Sequence, residues 1–131
     1  MFLDASAVVS ILSREADADS LSAKLAQSPI ILFSALAHYE TCVGYARTRG
    51  VAPDAAEKIV LDFLKDIHGE MIDLDEKIAR EAMQAHARFG KGRHKASLNM
   101  GDCFAYACAK VHRVPLLCKG DDFTHTDIEL A

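Results

Sequence analysis

The sequence predicts one α/β domain, built on a parallel β-sheet with helices on both faces. Short apolar segments with strand character alternate with amphipathic segments of about 10–15 residues, which is the pattern of βαβ units. Right-handed crossovers between parallel strands then place helices on both faces of the sheet. No repeat, low-complexity segment or linker divides the 131 residues, so we expect a single domain over residues 1–131.

The first half of the chain contains two predicted strands with helices between and after them. Residues 1–4 form an apolar strand, and apolar residues at helical spacing follow until Pro29 interrupts them. Residues 30–33 are apolar and consist of two β-branched isoleucines, a leucine and a phenylalanine, which favours a second strand. Ser34 is a suitable N-cap for the next helix, and Gly50 ends that helix.

The second half repeats this alternation. A helix begins near Pro53, and residues 70–74 form a third strand. Asp75 caps the helix that follows, and a further apolar helix precedes a strand at 114–118. Residues 126–130 could add a short edge strand. The predicted order is therefore that of a doubly covered parallel sheet.

Acidic side chains follow two predicted strands and lie in two predicted helices. Asp4 ends the first strand, and Asp121 and Asp122 follow the last one. Glu40 interrupts an apolar helical face, and Asp102 lies in the first turn of an apolar helix. Because ligands of open α/β sheets bind beyond the carboxyl ends of the strands, we expect these carboxylates to share one crevice.

Each of these residues also has a purely structural interpretation. Asp4 could be only an N-cap, and Glu40 could be an exposed residue on the helix flank. Asp102 could cap its helix, although Asn99 is already a suitable cap. Ser6 could be an ordinary first-turn residue or could hold a metal-bound water. A Gly-Asp turn after a strand is common without function, and which of the two adjacent aspartates faces the crevice stays open.

Several carboxylates in one crevice repel each other, which favours a bound cation between them. Hard divalent ions such as Mg²⁺ and Mn²⁺ prefer oxygen ligands of this kind. Such an ion lowers the pKa of a bound water and neutralises phosphate charge. The residues therefore predict metal-assisted hydrolysis without a histidine base.

The net charge of −4 gives the chain no general attraction to nucleic acid. RNA binding would require a local basic surface, for which the loop at 90–95 is the best candidate. Its basic side chains Lys91, Arg93 and Lys95 directly precede the helix that carries Asp102. The same loop could instead be solvated or could contact a protein partner.

The chain has no apolar run near the ~20 residues of a membrane span and no signal-peptide pattern. Its four cysteines form no C-x-x-C pair and lie in apolar or helical segments, which is typical of reduced thiols. These features predict a cytoplasmic protein without membrane contact.

Five segments of the sequence resemble one known family along essentially the full length. They are Met1–Ala7, Ser34–Glu40, Phe89–His94, Leu98–Ala107 and Leu116–Ile128. The chain resembles the PIN-domain ribonucleases and, most closely, the VapC toxins of type II toxin–antitoxin modules. The Asn-x-Gly-Asp-Cys-x-Ala-Tyr and Lys-Gly-Asp-Asp-Phe segments are specific.

The resemblance implies a three-layer α/β/α sandwich of the PIN type with a central parallel β-sheet. It implies that Asp4 and Asp102 are the principal Mg²⁺ ligands, with Mn²⁺ as a possible substitute. Glu40 and one of Asp121 and Asp122 would complete the acidic quartet, and the resemblance favours Asp121.

The resemblance also implies an activity and partners. We expect a Mg²⁺-dependent endoribonuclease that cleaves structured RNA such as tRNA or rRNA. It would form a homodimer, and a cognate VapB-type antitoxin would neutralise it.

Three other functions remain as alternatives. A haloacid-dehalogenase-like phosphatase would have a second aspartate where this chain has Ser6. A phospho-receiver would have no use for Glu40 and Asp102 together. A catalytically silent PIN-like module that binds RNA or a partner would usually have lost acidic positions, and this chain keeps all of them.

Overall fold

A computed structural model, which describes residues 1–131, contains one parallel sheet of four short strands in the order β3-β2-β1-β4. The strands are β1 (Phe2–Leu3), β2 (Leu32–Ser34), β3 (Glu70–Ile72) and β4 (Leu116–Leu117). Six α-helices connect them: α1 (Ala5–Ser13), α2 (Ala18–Ala26), α3 (Ala35–Arg49), α4 (Pro53–Asp66), α5 (Glu76–Phe89) and α6 (Met100–His112). A short 3₁₀ helix, Asp122–His125, follows β4. The parallel α/β architecture is confirmed.

The two faces of the sheet pack against different sets of helices. Phe2, Leu32 and Leu116 belong to one hydrophobic cluster, to which α5 and α6 contribute most of the other members. Their sequence neighbours Leu3 and Leu117 belong to a second cluster with residues of α1, α2 and α4. Since successive strand residues point to opposite faces, the sheet lies between two helical layers. This is the expected α/β/α sandwich.

The predicted helix boundaries follow from local hydrogen bonds. The Ala37 amide donates to Ser34 Oγ (3.2 Å), and the Ile78 amide donates to Asp75 Oδ1 (2.9 Å), so both predicted N-caps are confirmed. Gly50 ends α3 with a φ of 65°, a left-handed conformation that glycine adopts readily.

The sheet order places a crevice at the carboxyl ends of β1 and β4. From β1 the chain crosses to β2 on one side and later returns to β4 on the other side. This reversal is the topological switch point at which open α/β sheets bind ligands. Asp4 directly follows β1, and the segment with Asp121 and Asp122 follows β4.

The strands predicted at 1–4, 70–74 and 114–118 are shorter in the structure, and other details also differ from the sequence prediction. β2 begins at Leu32 rather than at residue 30, and the C-terminal segment contributes only a single bridge, between Leu116 and Leu130. In α3, Tyr39 and Val43 are 65% and 48% exposed, so the side of the helix around Glu40 is not a buried apolar face. No helix combines the length and apolar character of a membrane span.

Candidate active site

Asp4 is the most deeply buried carboxylate of the crevice, with 6% of its surface exposed. It ends β1 and caps α1, because its Oδ2 accepts hydrogen bonds from the amide (2.9 Å) and the hydroxyl of Ser6. The Ser6 hydroxyl oxygen in turn accepts from the Lys119 amide, 2.9 Å away in the loop after β4. Ser6 therefore orients Asp4 and ties it to the β4 loop.

Asp102 is held at the start of α6 by a reciprocal pair of hydrogen bonds. Its amide donates to Asn99 Oδ1 (3.0 Å), and its Oδ2 accepts from the Asn99 amide (2.8 Å). This capping box fixes the carboxylate without using its second oxygen. Asn99 is thus the N-cap, as the sequence suggested, and one oxygen of Asp102 remains free.

The Glu40 side chain extends from α3 to the start of α6. Its carboxylate lies directly against Gly101, the residue before Asp102. Burial raises the pKa of Glu40, and the negative charges of Asp4 and Asp102 raise it further. The structure therefore brings Asp4, Glu40 and Asp102 close enough to interact electrostatically.

The position after β4 involves Asp122 more directly than Asp121. The charge of Asp122 contributes to the raised pKa values of both Asp4 and Asp102. Asp121 precedes the 3₁₀ helix, and its carbonyl oxygen accepts from the hydroxyl (2.6 Å) and amide (3.0 Å) of Thr124. The structure thus favours Asp122, whereas the resemblance favoured Asp121.

Asp4, Glu40 and Asp102 have raised pKa values. Burial is the main cause of the raised pKa of Asp4, and hydrogen bonds from Ser6 and Ala5 oppose it in part. Burial raises the pKa of Asp102 to about 6; the Asn99 amide opposes this rise, and Asp4 and Asp122 add to it. The cluster has negative charge that no neighbour neutralises.

The cation of the loop after β4 is engaged away from the crevice. The Lys119 ammonium pairs with Glu15 and lies 3.9 Å from Asp17, in the turn between α1 and α2. No three acidic, histidine or cysteine side chains stand together at the ligand spacing of one ion. Because like charges repel, a divalent ion between the carboxylates would allow them to lie closer together. The donor set fits a hard cation such as Mg²⁺ or Mn²⁺ because it consists of carboxylate oxygens in need of positive charge.

The predicted basic loop directly precedes the start of α6. Lys91, Arg93 and Lys95 are exposed, and none of them forms a salt bridge within the chain. A bridge between Gly90 and Leu98 closes the loop immediately before Asn99. Three unpaired cations therefore lie at the approach to the start of α6.

Two features beside α6 carried no recognisable sequence signal. One is an apolar groove of about 730 Å³ between α5 and α6, where Met83 and Met100 are 66% and 65% exposed. The other is a polar network around buried Tyr106, whose hydroxyl donates to Asp127 (2.6 Å) and accepts from Lys110 (2.9 Å). Both depend on residues far apart in the sequence, which periodicity does not connect.

Comparison with known proteins agrees with this geometry. Residues 1–129 match the family described as PIN domain. Ribonuclease VapC of Mycolicibacterium smegmatis is 40% identical over 129 residues, covering 98% of this chain and 97% of that protein. Ribonuclease VapC42 of Mycobacterium tuberculosis is 41% identical over 133 residues, with 100% and 98% covered.

Solved structures show the same fold at low sequence identity. Mycobacterium tuberculosis VapC20, described as a sarcin–ricin loop cleaving toxin, superposes with a TM-score of 0.77 at 14% identity, covering 99% of this chain and 97% of that one. A toxin–antitoxin complex from Klebsiella pneumoniae gives a TM-score of 0.73 at 19% identity, with 99% and 95% covered. With a full-length family match and relatives about 40% identical that are named VapC ribonucleases, the chain belongs to the PIN-domain family of ribonucleases.

Proposed function

We propose that this protein is the toxin of a type II toxin–antitoxin system and acts as a Mg²⁺-dependent endoribonuclease. The observation that carries the proposal is the convergence of Asp4, Glu40 and Asp102, with Asp122 nearby, at the switch point of the sheet. Their raised pKa values and the lack of a neutralising side chain support a role in binding a divalent cation. Membership of the ribonuclease family supports RNA as the substrate.

In this proposal Asp4 and Asp102 bind the metal ion, and Ser6 and Asn99 orient these two ligands. When bound, Mg²⁺ or Mn²⁺ supplies Lewis-acid activation of the attacking water and neutralises charge at the scissile phosphate. Asp4 and Asp102 are the principal ligands in this proposal, each with one oxygen fixed by Ser6 or Asn99. These partners hold the two carboxylates in place, as outer-shell hydrogen bonds commonly do for metal ligands.

Glu40 and Asp122 complete the acidic set. Glu40 has a raised pKa and lies beside Asp102, so it is suited to hold the attacking water and to accept its proton. Asp122 is exposed at the mouth of the crevice and adds negative charge there. We propose Asp122 rather than Asp121 as the fourth member because only its charge reaches both Asp4 and Asp102.

The loop with Lys91, Arg93 and Lys95 is the proposed RNA-binding surface. Neutralising all three residues to glutamine removes about three phosphate contacts and should flatten the slope of log affinity against log salt by about 2. Fluorescence anisotropy with a labelled RNA, at several salt concentrations and without divalent ions, measures this slope.

A second triple variant serves as the matched control, because it loses the same three positive charges from another surface of the protein. Lys58, Lys65 and Arg113 are exposed and unpaired; Lys65 and Arg113 lie near the chain segments that enter β3 and β4, at the opposite edge of the sheet. Changing these three residues to glutamine should leave the slope near that of the wild type. Equal slopes for both triple variants would place the RNA on another surface.

We also propose a homodimer and a VapB-type antitoxin as partners, in the cytoplasm. The likeness to a toxin–antitoxin complex supports the antitoxin, and the groove beside Met83 and Met100 is an exposed apolar surface of the kind that protein contacts use. Structured RNA such as tRNA or rRNA is the proposed target.

Purified, partner-free protein incubated with total RNA tests the activity directly. Discrete fragments should form with Mg²⁺ or Mn²⁺, disappear with EDTA, and be absent with the Asp102→Asn variant. Mapping the fragment ends would identify the target. If RNA and metal both bind but no fragment forms, the protein is a binding module and the endoribonuclease proposal is wrong.

A further inference from the structure

At Gly101 the absence of a side chain matters for packing, whereas the conformational freedom of glycine does not. It lies in the first turn of α6, between exposed Met100 and Asp102, and its φ is not in the left-handed region. A Cβ at this position would come within 2.6 Å of the Glu40 carboxylate carbon and still closer to both carboxylate oxygens. Alanine would otherwise be the more favourable residue in a helix, so local helix propensity gives no reason for glycine.

The other glycines have different surroundings. Three of them have positive φ and open space where a Cβ would be: Gly50, Gly92 and Gly120. The remaining three would meet other kinds of atoms: Gly44 would meet Val9, Gly69 would meet Phe33 and the Leu64 carbonyl, and Gly90 would meet His86. Only at Gly101 does the empty space hold an acidic side chain.

We propose that Gly101 is a positioning residue, which lets the Glu40 carboxylate of α3 settle against the start of α6 beside Asp102. The space left by the absent Cβ sets how closely α3 and α6 bring their two carboxylates together. A methyl group there would force Glu40 to withdraw or α6 to move. The consequence for cation binding rests on the proposed function, whereas the contact itself rests only on the packing.

Thermal unfolding of the metal-free protein in EDTA tests the contact through a double-mutant cycle. Gly101→Ala should lower the melting temperature of the wild type relative to the gain that alanine otherwise brings in a helix, since the carboxylate and the methyl group compete for one space. In a Glu40→Ala background the space is empty, so Gly101→Ala should leave the melting temperature unchanged or raise it. In a Glu40→Gln background the drop should persist, because glutamine has the size of glutamate without its charge.

Gly44→Ala is the matched control. Gly44 is a helical glycine of α3 whose added methyl group would meet Val9 Cγ2 at 3.0 Å rather than Glu40. Its effect on melting temperature should be the same in the wild-type background and in the Glu40→Ala background. If Gly101→Ala also has the same effect in both backgrounds, the proposal is overturned.

Calorimetric Mn²⁺ titration separates positioning from simple packing. Gly101→Ala should weaken Mn²⁺ binding by about tenfold or more, the scale seen when a partner that orients metal ligands is lost, while Gly44→Ala should not change it. Coupled melting temperatures with unchanged Mn²⁺ affinity would make Gly101 a packing residue only and would overturn the proposal. If the wild type itself binds no Mn²⁺, the proposed function fails, and the unfolding cycle alone then decides whether Gly101 positions Glu40.

Discussion

Two aspartates beside α6 have opposite electrostatic surroundings. Asp102, in the first turn of the helix, has a pKa raised to about 6, mainly by burial and further by Asp4 and Asp122. Asp127, in the C-terminal segment, accepts hydrogen bonds from the Tyr106 hydroxyl (2.6 Å) and the Arg88 guanidinium (2.9 Å), and these bonds lower its pKa. The ionised form of an aspartate is therefore destabilised at position 102 and stabilised at position 127.

The partners explain this difference. The network around Asp127 ties the C-terminal segment to α5 through Arg88 and to α6 through Tyr106, and Lys110 of α6 forms an ion pair with Glu81 of α5 (2.9 Å). Every charge in this network has a partner from the chain itself. Asp102 has only an amide donor and acidic neighbours. The paired carboxylate of Asp127 therefore stabilises the fold, whereas the unpaired acidic cluster around Asp102 needs positive charge from a ligand.

The largest expected effect concerns activity. Asp102→Asn should reduce RNA cleavage at least about a hundredfold, because it removes a proposed metal ligand rather than an outer partner, whose loss costs about 10–100-fold. The amide oxygen of asparagine can still accept from the Asn99 amide, so the fold should persist. Initial cleavage rates and circular dichroism measure the two effects. Cleavage at the wild-type rate would remove Asp102 from the metal site.

The corresponding change on the structural side is Asp127→Ala. It leaves the buried Tyr106 hydroxyl without its acceptor and Arg88 without its partner, which should cost about 1–3 kcal/mol of unfolding free energy. Cleavage by the folded protein should stay close to that of the wild type. Urea unfolding and cleavage rates at low temperature measure both quantities. A loss of activity larger than the unfolded fraction explains would mean that the network also shapes the site.

The smallest expected effect is on how the unfolding free energy depends on pH, and Asp102 and Asp127 should affect it with opposite signs. The folded-state pKa of Asp102 lies above its ordinary value of 3.8, so the folded state binds more protons between that value and about 6. The unfolding free energy of the metal-free protein should therefore fall as pH rises through this window, and Asp102→Asn should recover the loss. We expect about 1 kcal/mol at pH 7, because water screens this half-exposed group.

The contribution of Asp127 to the unfolding free energy depends on pH in the opposite direction. Its folded-state pKa is lowered, so its stabilising contribution is present above the ordinary value and is lost as pH falls. The deficit of Asp127→Ala should shrink in acid, whereas the gain of Asp102→Asn should appear only toward neutral pH. Urea unfolding in EDTA at about pH 3, pH 4 and pH 7 compares them, because the Asp127 contribution is lost only below its ordinary pKa of 3.8. Deficits or gains that are independent of pH would contradict the assigned causes.

The elements that place the site could be predicted because their signals are local. The capping residues Ser34, Asp75 and Asn99 and the apolar strand of Asp4 are encoded within a few positions of the sequence. The carboxylates of β1 and of the segment after β4 meet because parallel strands end at the same edge, which also follows from the alternation of strands and helices.

The remaining features depend on long-range packing. Asp121 and Asp122 are equivalent in the sequence, and only the path of the chain after β4 distinguishes their charges. Tyr39 and Val43 fit an apolar helical face, yet both are exposed in α3. The pairing of Arg88 and Tyr106 with Asp127 joins residues 39 and 21 positions apart, which no local pattern reveals.

The most direct test of the central claim is the melting temperature of the protein with and without Mn²⁺. A cation that binds only the folded state at a hundred times its dissociation constant should stabilise that state by about 2.7 kcal/mol. We expect Mn²⁺ to raise the melting temperatures of the wild type and of Asp127→Ala by similar amounts and to leave that of Asp102→Asn nearly unchanged. An equal rise for Asp102→Asn and the wild type would show that the ion binds elsewhere and would contradict the assignment of the acidic cluster as the metal site.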